Sequence, residues 1–96
     1  VFKDAYPVTE GHLLFVPTQE KFNNIVECFK AAHKFGYDGV QSQRWDAFNV
    51  GQNCGEYAGQ TVMYPHIHMI PRRKGDMEDP RGGVRHVIPE KGNYKK

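Results

Sequence analysis

Two histidines, His66 and His68, lie two residues apart in the run Gly59-Gln-Thr-Val-Met-Tyr-Pro-His-Ile-His-Met-Ile-Pro-Arg72. In extended backbone, side chains two apart point the same way, so the two imidazoles are expected side by side. Val62, Tyr64 and Ile70 would share their face, with Met63, Pro65, Ile67 and Met69 on the other. Three kinds of chemistry fit such a pair. A neutral imidazole can attack phosphorus near neutral pH while its neighbour assists by hydrogen bonding. The pair could instead ligate zinc, which needs at least a third protein ligand, with His12, His86 and Cys54 as candidates at no diagnostic spacing. Or both rings could be structural. Gly59, Gln60 and Thr61 upstream tilt the reading to phosphate, because a glycine turn and two polar side chains supply donors for non-bridging oxygens.

A strand must carry the pair, and the chain offers elements to support it. Gly11-His-Leu-Leu-Phe-Val-Pro17 is a short apolar run bounded by Gly and Pro, the pattern of a buried strand. Thr18 is a plausible helix N-cap. Phe22, Ile25, Val26, Phe29 and Ala32 then recur at helical spacing, and Gly36 reads as the stop. Asp38-Gly39 reads as a turn. Trp45 to Asn53 is strand-like and leads through the turn-rich residues 53–59 into the histidine segment, as an antiparallel hairpin with a long loop. Pro65 marks a locally broken ladder beside the site. His12 reads as structural, and Arg85 with Gly82-Gly83 as an anion-binding turn, a contact to a neighbouring subunit or a plain surface turn. Strands before and after one good helix make the class α+β with an antiparallel sheet.

At 96 residues the chain holds one domain or less, and 39% hydrophobic with 12% aromatic residues excludes a disordered segment. Charge is uneven: residues 72–96 carry eight Lys/Arg against four Asp/Glu, the first 71 five against seven. A basic quarter suits an anionic ligand, though it also suits a solvated tail. The basic residues lack interleaved aromatics, so nucleic acid ranks last among partners. Two cysteines, Cys28 and Cys54, make no disulfide framework, and no apolar run approaches a membrane span. Together with the lack of a signal peptide, this suggests a soluble, cytoplasmic protein.

The ordered motifs resemble the histidine triad (HIT) family of nucleotide hydrolases and transferases. They are Pro7-Val-x-x-Gly-His-Leu-Leu-x-Val-Pro17, Asn49-Val-Gly-x-Asn53-x-Gly, Gly59-Gln-Thr-Val, His66-x-His68 and Ile70-Pro-Arg72. Asp79-Pro-x-Gly-Gly-Val-Arg85-His-Val-Ile-Pro89 is similar to the C-terminal segment of a microbial and phage branch. The resemblance implies a five-stranded antiparallel sheet with one main helix across it, a homodimer, and a single domain spanning residues 1–96 that lacks the family's first strand. It implies cleavage at the α-phosphorus of a dinucleoside polyphosphate or nucleoside phosphoramidate, without metal or cofactor. By the same likeness His66 is the nucleophile and forms a nucleotidyl-histidine, while His68 assists. Asn53, Gln60 and Thr61 hold phosphate, and Phe2, Asp4 and Ala5 hold the nucleoside. The departure is Tyr64, where the family pattern has its first histidine. That substitution leaves a non-catalytic nucleotide-binding protein as the alternative. The Tyr64 carbonyl is expected to hold Nδ1 of His66 and leave Nε2 free.

Overall fold

The computed structural model describes residues 1–93; the tail positions 94–96, read above as a frayed or partner-bound end, lie outside the described residues. Four strands form one antiparallel sheet in the order β1-β2-β4-β3. They are β1 (Phe2–Lys3), β2 (Leu13–Phe15), β3 (Ala47–Gly51) and β4 (Ile67–Arg72), with helix α1 (Phe22–Gln41) packed across one face. Four strands stand among the described residues, not the five expected. The short apolar run after β4, residues 86–89, adds no strand, and the chain there makes 3-10 turns at Gly83–Val87 and Pro89–Lys91. Gly82 and Gly83 hold φ of 99° and 53° there, a left-handed backbone that breaks any extended run, and Pro89 removes a ladder donor.

Alternation along β4 divides the sheet cleanly. Ile67, Met69 and Pro71 are buried against the helix, whereas His68, Ile70 and Arg72 point to the opposite face. The core under α1 is Phe15, Ala32, Trp45, Ile67 and Met69, extended by Leu13, Ile25, Phe29, Val40, Phe48 and Val50. Phe22, expected in the apolar stripe, is 75% exposed and Met63 is 60% exposed, so each lies outside this core.

The helix differs from expectation at both ends. It begins at Phe22, with Lys21 rather than Thr18 at the N-cap, because residues 18–21 carry the chain from the end of β2 to the helix. It also runs through Gly36 and Asp38-Gly39 to Gln41. Neither glycine is a stop. A Cβ on Gly36 would overlap the Phe48 ring, and one on Gly39 the Trp45 indole. The glycines let β3 and its leading tryptophan approach the helix backbone closely enough for Trp45 Nε1 to donate to Gly36 O at 2.9 Å.

Candidate functional site

β4 starts at Ile67, so His66 sits just before the ladder and His68 within it. The rings still meet, with centroids 5.2 Å apart and planes inclined at 63°. The local geometry sets what each nitrogen can do. His66 Nδ1 lies 2.9 Å from Tyr64 O. A carbonyl only accepts, so the proton resides on Nδ1 and the Nε2 lone pair is the free one. Tyr64 itself donates its hydroxyl to Pro17 O at 2.7 Å, tying the loop that carries His66 to the end of β2.

His68 belongs to a second chain of contacts. The register pairs Leu14 with His68, which brings His12, just before β2, against the same face. His12 Nε2 lies 2.9 Å from His68 Nδ1 and 3.4 Å from Asp4 Oδ2, and His68 Nδ1 lies 4.0 Å from that same oxygen. The amide of Val8 donates to His12 Nδ1 at 3.1 Å. An N–H only donates, so His12 carries its proton on Nε2 and passes the hydrogen bond to His68 Nδ1. Neutral His68 then holds its own proton on Nε2. His66 and His68 are thus set to opposite tautomers: His66 offers a lone pair, His68 a donor. Burial, above all, lowers the pKa of both His12 and His68 from 6.5; Asp4 pulls the other way, and His12 and His66 add to the depression at His68.

The remaining expected site residues fall into distinct places. Asp4 is turned inward: besides facing His12 it accepts the Tyr6 amide on Oδ1 at 2.8 Å, a turn-capping contact. Phe2 and Ala5 are exposed beside it on the β1 edge. Gln60 is committed to its loop, accepting from Gly55 N at 2.8 Å and donating to the carbonyls of Val62 and Met63. Its role in this geometry is to shape the turn before Thr61, which is exposed. Asn53 is exposed and lines a cavity of about 660 Å³ that also touches His12 and His68. Gly51 sits opposite His68 in the ladder, and no atom lies within 4 Å of where its Cβ would be, so the space over His68 stays open. A smaller cavity of about 270 Å³ near Val1 and Cys28 lies away from the histidines.

His12, which the sequence reading weighed as a zinc ligand and otherwise as structural, is the residue that contacts His68; its signal was the two-residue alternation with Leu14 on a strand able to pair with the histidine segment. Asp4, His12 and His68 are also the described residues whose potential ligand atoms converge, all within 4.8 Å. Two of those atoms already share the His12–His68 hydrogen bond. His86 and Cys54 are not in that group; His86 Nε2 instead pairs with Arg81 O at 2.8 Å. Arg85 donates to Lys91 O at 3.0 Å and Gly92 O at 3.4 Å, within its own segment. No helix among the described residues is long and apolar enough to cross a membrane.

The sequence and its fold have counterparts among known proteins. The chain is 35% identical over 83 residues to an uncharacterized HIT-like protein of Methanocaldococcus jannaschii, covering 80% of this chain and 64% of that one. It is 35% identical over 75 residues to an adenosine 5'-monophosphoramidase of Saccharomyces cerevisiae, covering 75% and 48% respectively. A zinc-bound histidine triad family protein from Mycobacterium smegmatis superposes with a TM-score of 0.71 at 26% identity, over 80% of this chain and 61% of that one. The chain therefore spans roughly half to two thirds of the length of these relatives. The model of the HIT domain matches residues 1–75, a stretch that takes in all four strands, the helix and both histidines, and the chain belongs to that family.

Proposed function

We propose that the protein is a nucleotidyl hydrolase or transferase acting at the α-phosphorus of a nucleoside phosphoramidate or dinucleoside polyphosphate. The observation that carries this reading is the tautomer pair: His66 Nδ1 against the Tyr64 carbonyl, and His68 Nδ1 receiving from His12. In the first step Nε2 of His66 bonds to phosphorus and the bond from phosphorus to the leaving group breaks. The leaving group departs with a proton taken from water. In the second step water adds to phosphorus and the bond to Nε2 breaks, so one water is consumed per turnover. His68 Nε2–H donates to the charge that develops on the phosphoryl oxygens, the kind of preorganised donor whose removal costs roughly 10²–10³ in rate. Asn53, Thr61 and the amides of the glycine turn are the further donors; the Gln60 side chain acts through the loop it holds. Phe2 and Ala5 form one side of the nucleoside position. The name of the yeast relative, a monophosphoramidase, favours the phosphoramidate class. Two copies working as a homodimer belong to the same reading.

The test is chemical trapping. Acid quench after mixing with an adenosine 5'-phosphoramidate is expected to leave one nucleotidyl mass increment on the peptide holding His66, absent from His66→Ala. Full turnover by His66→Ala would refute the role assigned to that ring.

A further inference from the structure

The loop between β1 and β2 brings more to the site than the His12 ring. It turns at Gly11, whose φ is 92°, and the turn closes with the His12 amide donating to Thr9 O at 3.2 Å. The Asp4 amide donates to His12 O at 3.1 Å, so the two ends of residues 4–12 are joined. Val8 is 71% exposed on this loop, yet its amide reaches Nδ1 of the buried His12 ring. An exposed residue keeps an amide on a buried ring only where the loop is fastened from outside.

Three contacts fasten it, and all involve the end of β4. Thr9 Oγ1 donates to Pro71 O at 2.7 Å. Arg73 Nη1 donates to Glu10 O at 2.8 Å. Gly11 is seated at the same place: a Cβ there would lie 3.2 Å from Pro71 Cγ and 4.0 Å from the Trp45 ring. The loop is thus strapped to the strand that carries His68, at positions three and five residues beyond that histidine. We propose that Thr9 and Arg73 are positioning residues, which hold the Val8 amide on His12 and so set the direction of the hydrogen-bond chain that ends at His68 Nε2.

That chain has two directions open to it. With the Val8 amide in place, Val8 N–H donates to His12 Nδ1 and His12 Nε2–H to His68 Nδ1, which leaves a proton on His68 Nε2. Reversed, each ring would carry its proton on Nδ1, and Nε2 of His68 would be a bare lone pair, unable to donate. The reversed chain sets two N–H groups against each other at Val8, so the amide opposes it. Asp4 does not make the choice. Its Oδ2 lies 3.4 Å from His12 Nε2 and 4.0 Å from His68 Nδ1, facing both ends of the ring-to-ring bond, and can accept the proton from either side. The consequence for turnover rests on the nucleotidyl-transfer reading, in which His68 Nε2–H is the donor.

Nitrogen NMR of the full chain, labelled on histidine, reads the tautomer directly, because protonated and bare ring nitrogens resonate far apart. In wild type, His68 is expected to be protonated on Nε2 and bare on Nδ1. Thr9→Val and Arg73→Gln are each expected to lower the ratio of the Nε2–H to the Nδ1–H form of His68 roughly fivefold to tenfold, the worth of one hydrogen bond. Thr9→Ser and Arg73→Lys keep a donor and are expected to restore the ratio, which separates hydrogen bonding from packing. With adenosine 5'-phosphoramidate, kcat is expected to fall severalfold in Thr9→Val and Arg73→Gln while KM stays within about twofold, since orientation is lost and the binding groups remain. A tautomer ratio within about twofold of wild type in both of these variants overturns the proposal. So does a loss that serine and lysine fail to restore. A lowered ratio with unchanged kcat keeps the strap and refutes His68 as the donor in the proposed reaction.

Discussion

On the proposed reaction, opposite tautomers on neighbouring rings would give His66 and His68 separable tasks. His68→Ala is expected to lower kcat by roughly 10²–10³ while leaving trapping on His66 detectable, since a donor is lost and the nucleophile stays. Single-turnover quench measures both at once. His12 and His68 also tie stability to pH. Burial holds their folded-state pKa values below 6.5, so between 6.5 and those lower values the unfolded chain binds more protons than the folded one. Stability is therefore complete above about pH 6.5 and declines as pH falls through that window. Urea midpoints at pH 7.5 and 5.5 are expected to drop for wild type, and to drop less for His12→Gln, which removes one of the two groups. The histidine pair and the Tyr64 contact were legible because both are local: residues 64, 66 and 68 constrain one another along a few bonds. His12 was not, because its partner is chosen by the Leu14–His68 register, a cross-strand choice that a single strand's pattern does not contain.

At the scale of elements, the same divide explains the helix. Ile25, Phe29 and Ala32 announce a helix by spacing alone. Gly36 and Gly39 read locally as punctuation, yet their reason is tertiary, since Phe48 and Trp45 arrive from another element to fill the missing side-chain space. Gly36→Ala and Gly39→Ala each gain helix propensity of about 1 kcal/mol. Against that stands overlap with a ring in a packed core, which costs about 1–3 kcal/mol. The net expectation is destabilisation by each variant, the opposite of what the isolated helix would give, and thermal unfolding checks the sign. Pro71 makes a related point: a proline in a central strand is tolerated because the ladder with β2 ends at Met69, so no β2 carbonyl there loses its donor, and the Pro71 carbonyl on that side accepts from Thr9 Oγ1 at 2.7 Å, 62 residues away in sequence.

For the whole molecule, one sheet serves two purposes, with a helix-facing side that holds the fold and an open side that holds the histidines. The α+β class and antiparallel pairing could be read from the order of apolar runs. The count of five came from the family resemblance and does not hold among the described residues, where the final apolar run follows two left-handed glycines, meets a proline and coils into a cap. β3 is paired on one side only, leaving a five-residue edge. Unpaired edges of this kind invite association. Sedimentation velocity at micromolar concentration is expected to give a dimer, and Ala47→Lys, a charge on that exposed edge, to shift the distribution toward monomer.

Trp45, the chain's single tryptophan, is buried on the helix side between the Phe35 ring and the Gly39 seat, beneath the Arg44 guanidinium. It is thus a built-in optical probe of one side of the sheet. Its emission should redden when α1 detaches and stay steady when a ligand lands among the histidines, so fluorescence can follow unfolding without interference from occupancy of the histidine face.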